Sequence, residues 1–178
     1  YVDGWGSLWE RRPDAIYYEV VDSPLRTATI ADLDRYPWPE LAHPSRFVGL
    51  RERAQTIRDA GYAVVALSGV SPFEQAYLSR GVEQWLLGLA ADPDFVLALM
   101  RKITDLMKRS VIGLLEEAGD LIDVLITGDD LGSQHTTLIS PRMYRRLIKP
   151  FHAEIYSEIK RRTGAKVFYH SDGNIYSL

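Results

Sequence analysis

The stretch GAKVFYHSDG, residues 164–173, carries the reading of this sequence. A short apolar run ends at His170, and Ser171, Asp172 and Gly173 come directly after it. The same grammar occurs twice upstream, in AGYAVVALSGVSPFE (60–74) and AGDLIDVLITGDDLGSQ (118–134). Each time a helix-like stretch stops at a glycine, Gly61, Gly119 or Gly164, a residue that tolerates the left-handed conformation found at helix ends. A run of Val, Ile, Leu or aromatic residues then reads as a buried strand, and polar residues with glycine break it off. Strands are expected over 62–68, 121–127 and 166–170.

The intervening segments have helical periodicity. Asp92 is placed as an N-cap, with Pro93 at the first helical position. Val96, Leu99, Met100, Ile103, Leu106, Met107, Leu114 and Leu115 then recur on one face. Ser140 and Pro141 open a second helix, whose buried side is marked by Tyr144, Ile148, Phe151, Ile155 and Ile159. Pro150 lacks a backbone N–H and should kink or divide it. Arg142, Arg145, Arg146 and Lys149 share one face by spacing, as a solvated surface does.

Helix, glycine, buried strand and polar loop in repetition describe a parallel sheet with crossover helices. A closed barrel and an open doubly wound sheet both satisfy it. No G-x-G-x-x-G comes after a strand, which counts against the dinucleotide-binding version. In either architecture the functional residues belong on the loops after the strands, SGVSPFE, TGDDLGSQ and HSDGN. Residues 1–40 differ: a β-rich excursion around AIYYEVV leads to the rigid connector YPWP (36–39), with Trp5, Trp9 and Trp38 read as structural. Residues 41–178 carry the βα units.

Composition removes several functions. The 178 residues are 46% hydrophobic with a net charge of −3, so no basic footprint for nucleic acid is present. No uncharged run approaches the roughly 20 residues of a membrane span, and no signal-peptide pattern opens the sequence. A cytoplasmic location is the expectation. The absence of cysteine rules out thiolate ligands and disulfides within this stretch. The chain opens on Tyr1 and stops at Leu178 just after a site-like loop, so a fragment of a longer protein is expected.

Three loops supply candidate residues. His170 and Asp172 lie two apart on an extended segment, so both side chains can face one metal ion. Zinc accepts imidazole and carboxylate but usually takes at least three protein ligands, and a hydrogen-bonded turn satisfies the same pair. Asp129 and Asp130 are adjacent carboxylates after a buried strand, suited to proton transfer or to a cationic group, and equally to turn formation. Gln134 and His135 extend that loop towards substrate. Glu74 opens a helix, where it lines a pocket or interacts with the helix N-terminus. Phe73 and Tyr77 are candidates to stack on a flat ligand, or to pack in the core. His43 and His152 carry no distinguishing context.

The pieces DGWGSLW, YPWP, GVSPFEQAYLSRG, DPDFV, GDDLGSQ, LISPRMYRRLIKPFH and GAKVFYHSDG, in this order, resemble the uroporphyrinogen decarboxylase superfamily. Its members include the decarboxylase of haem biosynthesis and cobalamin-dependent methyltransferases. The resemblance implies a TIM (β/α)8 barrel with its pocket at the C-terminal face, and a complete barrel needs about 250 residues. This chain is then a central portion of one. The methyltransferase branch is the nearer; its motif here is His-x-Cys-Gly, with His and Cys binding zinc and another Cys further downstream. His170 falls on the histidine, Gly173 on the glycine and Asp172 on the cysteine. A further ligand is expected beyond Leu178.

The resemblance implies an enzyme acting on a small-molecule substrate. It would use zinc or another divalent metal at His170 and Asp172, with a corrinoid carried by a partner protein. Asp129 and Asp130 would be catalytic, and Glu74, Phe73, Tyr77, Gln134 and His135 would contact substrate. Uroporphyrinogen decarboxylation without a cofactor is the runner-up. A barrel that binds without catalysis is the third reading, favoured by aspartate in the cysteine position. The sequence is silent on oligomeric state.

Overall fold

Local capping chemistry sets where the helices begin, and the strands occupy the gaps. The computed structural model describes residues 1–178. Two short antiparallel strands come first, β1 (Leu8–Glu10) and β2 (Glu19–Asp22). Helices α1 (Ile30–Arg35) and α2 (Leu50–Asp59) lead to β3 (Val65–Leu67). Then come α3 (Pro72–Arg80), α4 (Val82–Ala91), α5 (Pro93–Ala118) and β4 (Val124–Gly128). The chain continues through α6 (Pro141–Met143), a π-helical turn (Tyr144–Ile148), α7 (Lys149–Arg162) and β5 (Lys166–His170).

Strands β3, β4 and β5 form one sheet in that order, all parallel, with Leu67 opposite Ile126 and Gly128 opposite His170. The expected parallel arrangement is therefore present. The first two strands start later than expected, for a local reason. Gly61 (φ 83°) terminates α2 in the left-handed region, and Tyr62 N–H still bonds back to Ile57 O. Likewise Leu121 N–H closes a turn on Ala118 O, so residues 121–123 finish α5 rather than open β4. The left-handed glycine stop expected at all three helix ends holds only at Gly61. Gly119 keeps a right-handed backbone (φ −62°), and Gly164 has no positive φ. There Thr163 Oγ1 donates to Gly119 O at 2.8 Å and takes over the capping.

Asp92 caps α5 by accepting Phe95 N–H at 3.2 Å, with Pro93 next to it, as the sequence implies. Ser140 Oγ does the same for Met143 N–H. Pro150 acts through the turn before it. Lys149 N–H reaches back five residues to Tyr144 O, which makes the π turn. In an uninterrupted α-helix, residues eight apart sit about 80° out of phase. Absorbing one extra residue in the π turn brings Tyr144 and His152 back onto one face.

The two faces of the sheet differ. Leu125 and Thr127 are buried, with Ala66, Val167 and Tyr169 partly so. This face shares the core with Val96, Leu99, Ile103, Met107 and Val111 of α5 and Phe151, Ile155 and Ile159 of α7. The opposite face carries Val65, Leu67 and Phe168, exposed by 55%, 78% and 56%. That face remains uncovered although it is as apolar as a core strand. No helix is long and apolar enough to cross a membrane.

At the other end of the chain, Asp3 gathers Trp5 N–H, Ser7 N–H and Trp9 Nε1–H. Trp5 packs edge-on against Trp38. The tryptophans thus tie the N-terminal segment to the connector.

Candidate functional site

The loops after β3, β4 and β5 meet at the C-terminal edge of the sheet around an open cleft of about 460 Å³. Its walls include Ser71, Glu74, Ile126, Asp130 and His170. Asp130, His170 and Asp172 bring one donor atom each to within 4.8 Å of one another. His170 Nε2 lies 3.3 Å from Asp172 Oδ1 and 3.9 Å from Asp130 Oδ1. Asp130, forty residues upstream of His170, thus brings a third potential donor atom beside the pair read from the sequence.

Backbone contacts between two loops set this convergence. Asp172 N–H donates to Asp130 Oδ1 at 2.7 Å, and Asn174 N–H donates to Ser133 O at 2.8 Å. Leu131 N–H reaches Ser171 Oγ at 3.2 Å. The approach needs glycine on both sides. Gly173 has φ 79°, and a Cβ there would lie 2.5 Å from the carbonyl carbon of Gly132. The glycines of GDDLG and HSDG are therefore the contact that carries Asp172 to Asp130.

Asp129 points the other way. Its carboxylate is sealed from solvent (residue exposure 1%) and is surrounded by donors. Oδ2 accepts Phe73 N–H and His152 Nε2–H, both at 2.8 Å. Oδ1 accepts Glu74 N–H at 2.7 Å and lies 3.1 Å from Ser71 Oγ. The first-turn N–H groups of α3, which have no partner within the helix, are thereby satisfied from β4. The Asp129 carboxylate, expected to be catalytic, is here engaged in hydrogen bonds within the fold.

His152, to which none of the three candidate loops pointed, completes this node. It is 4% exposed, and its Nδ1 lies 3.2 Å from Tyr144 Oη. A carboxylate cannot donate, so Nε2 carries the hydrogen towards Asp129 and Nδ1 faces the tyrosine hydroxyl. Tyr156 and Tyr169 pack edge-on around the ring. Burial pushes the Tyr156 phenol up to about 12, with nearby Asp129 adding to it. Burial raises Tyr169 and Tyr144 too, again with Asp129 contributing. One sequence signal did exist: His152 lies on the buried stripe of α7, four residues after Ile148 and three before Ile155.

The remaining candidates divide. Glu74 lines the cleft. Burial raises its carboxyl above the usual range; the Ser71 hydrogen bond opposes this, and Asp130 and Asp129 reinforce it. Phe73 is fully buried, packed edge-on against Tyr77 and Trp85, so its ring belongs to the core rather than to a ligand. Tyr77 is half-buried on the same helix beside Phe73 and is not part of the cleft wall. Gln134 and His135 are exposed at the tip of a loop closed by Ser133 N–H to Thr136 O, apart from the cleft.

Comparison with known proteins agrees with this architecture. No curated protein matches the chain in sequence. Among solved structures, a methyltransferase from Methanosarcina mazei superposes with a TM-score of 0.60 at 17% identity, over 97% of this chain and 48% of that one. At that identity the likeness speaks for the fold, and the chain spans about half the length of that structure. The sequence matches the family described as uroporphyrinogen decarboxylase (URO-D) over residues 16–178. With that match covering nearly the whole chain and the ordered βα units beneath it, the chain belongs to the uroporphyrinogen decarboxylase family.

Proposed function

We propose that the protein is a methyl-transferring member of this family, acting on a small-molecule substrate in the cleft. In this reading a divalent cation, zinc or a harder ion, is held by Asp130, His170 and Asp172. A corrinoid on a partner protein takes part in the methyl exchange. The observation that carries this reading is the convergence of the three donors at the C-terminal edge of a parallel sheet, where such folds place their chemistry.

The donor set fits the ion. Tetrahedral zinc with bonds of about 2.0–2.1 Å to nitrogen and oxygen separates its ligands by roughly 3.3–3.4 Å. The His170–Asp172 distance already matches that edge, and the His170–Asp130 distance requires a movement of about 0.5 Å. Two carboxylates and one imidazole make a harder set than thiolates do, so manganese or magnesium competes better here than at a cysteine site. Such an ion supplies Lewis acidity towards an oxygen or nitrogen of the substrate. The chain's own residues hold the donors in place through the paired Gly132 and Gly173 loops, and they present Glu74 to the same cleft.

Charge argues against the runner-up. Uroporphyrinogen carries many carboxylates that need cationic partners. The wall of this cleft has Glu74, Asp129 and Asp130, with no lysine or arginine. We also infer that the sheet is an arc of a closed (β/α)8 barrel, whose interior would cover the apolar face of Val65, Leu67 and Phe168.

The test is metal titration joined to methyl transfer. The protein should bind zinc or manganese with micromolar or better affinity. Asp172→Ala, His170→Ala and Asp130→Ala should each lower metal content and methyl transfer together, and Asp172→Cys should shift preference towards zinc. Methyl transfer from methylated small molecules to reduced cobalamin is monitored by the cobalamin spectrum. Methyl transfer retained by a protein that binds no divalent ion would refute the metal role.

A further inference from the structure

A second cavity, of about 370 Å³, adjoins the cleft across the β3–α3 loop. Gly69, Ser71 and Glu74 line both spaces. A Cβ added at Gly69 would meet no atom within 4 Å, so the loop leaves room for one ligand to span the two. Ligand pockets run from roughly 300 to 1,000 Å³, and this one lies at the small end.

Its remaining walls come from parts of the chain far from the strand ends. Trp5 belongs to the N-terminal segment, Leu41 and Arg46 to the stretch after the connector, Leu78 to α3 and Met107 to α5. An indole and three aliphatic side chains make this interior apolar. Arg46 is the only lysine or arginine that lines either space. It is carried by the turn Pro44–Arg46, where His43 Nδ1 accepts Ser45 N–H at 3.3 Å.

The Arg46 guanidinium is unspent. Arg51, Arg58, Arg101 and Arg162 each meet a carboxylate of the chain. Arg46 has no such partner. Glu74 is the one carboxylate in its cavity, and it lies 2.6 Å from Ser71 Oγ instead. A planar guanidinium presents paired N–H groups that match a carboxylate. Ser110 lines the same side, since it and Arg46 also border the next groove, and its hydroxyl offers a further donor.

The two spaces are therefore opposite in charge, with carboxylates in the cleft and a free guanidinium in the adjoining cavity. We propose that the cavity around Arg46 and Trp5 is the recognition subsite for the substrate, a monocarboxylate with a flat apolar body. Its carboxylate pairs with Arg46, its body lies against Trp5, and its methylated heteroatom reaches past Gly69 into the cleft. Which end reacts rests on the methyl-transfer reading; the carboxylate end stands on the cavity alone. One guanidinium matches one carboxylate, not the many of uroporphyrinogen.

The test has two arms. In the first, the protein is titrated calorimetrically with 4-methoxyphenylacetate and with the neutral 4-methoxyphenylacetamide, with no methyl acceptor present. The acid should bind about tenfold more tightly, the worth of a charge-assisted hydrogen bond in a partly open site. Arg46→Gln should abolish that preference, and Arg46→Lys should keep part of it. The acid should also change the tryptophan fluorescence of the unaltered protein, and Trp5→Phe should remove that change. Equal affinity for acid and amide, a preference that survives Arg46→Gln, or no binding of the acid at millimolar concentration would overturn the subsite. So would a fluorescence change that persists in Trp5→Phe. In the second arm, methyl transfer to reduced cobalamin is followed with both compounds. Arg46→Gln should raise KM for the acid about tenfold, leave kcat within a few-fold and leave KM for the amide nearly unchanged. An equal rise for both compounds would overturn the role of Arg46. If the unaltered protein transfers no methyl group from any substrate, the methyl-transfer reading fails, and the binding arm still decides the subsite.

Discussion

Replacing Asp129 with Ala should destabilise the fold far more than a loop aspartate normally does. The carboxylate is the shared acceptor for Phe73 N–H and His152 Nε2–H, both buried, and for Glu74 N–H and Ser71 Oγ–H, both half-buried. A buried donor left without a partner costs about 1–3 kcal/mol, and a half-exposed one costs less because water replaces the acceptor. The two buried donors and two partly buried ones sum to about 3–6 kcal/mol. That is comparable with the whole stability of many domains, about 5–15 kcal/mol. Asp129→Asn should fall between: its amide oxygen still accepts on one side, while its NH₂ group faces donors on the other. Urea denaturation monitored by circular dichroism measures this as a fall in midpoint with an unchanged slope. Heating should show a drop of about 10 °C or more for the alanine variant. A loss below about 1 kcal/mol for Asp129→Ala would refute the reasoning, because the donors of α3 would then have another acceptor.

Two further outcomes rest on the same geometry, alongside the metal test above. Glu74 has a raised carboxyl pKa in the fold, so its contribution to stability is fully present below its unfolded value, about 4.3, and is lost as pH rises through the folded value. Glu74→Gln should therefore gain stability relative to the unaltered protein as pH rises from about 4 towards neutral, measured by urea midpoints at several pH values; a flat or reversed difference contradicts it. Leu67→Asp tests barrel closure: at 78% exposure the change is nearly neutral on an open sheet, within about 0.5 kcal/mol, but costs several kcal/mol inside a barrel. Thermal unfolding of the protein distinguishes the two.

Much of the fold was legible in the sequence because its signals are local. Asp92 with Pro93 and Ser140 with Pro141 mark helix starts through bonds that span three residues. The apolar runs before Ser68, Asp129 and Ser171 mark strands through side-chain character alone, and the helices between them imply parallel order. The late starts of β3 and β4 have a different origin from the strand signals themselves, since they depend on how the preceding helices end. Gly119 lies in a sequence context like that of Gly61, yet Thr163, forty-four residues later, supplies the hydroxyl that caps it. No window around Gly119 contains that information.

The site divides along the same line. The sequence by itself determined that Glu74, Asp129, Asp130, His170 and Asp172 lie after strand ends, and that His170 and Asp172 point alike through their spacing of two. Only the tertiary structure decided between the adjacent aspartates. Neighbouring side chains on an extended segment face opposite sides, so one of the pair had to enter the packed interior and the other the cleft. Which one entered depends on where α3 and His152 lie, and those contacts join residues 55 and 23 positions from Asp129. The meeting of Asp130 with Asp172, and the single hydroxyl hydrogen that Ser71 shares between two carboxyls, arise likewise from chain segments brought together only by the packed sheet and helices.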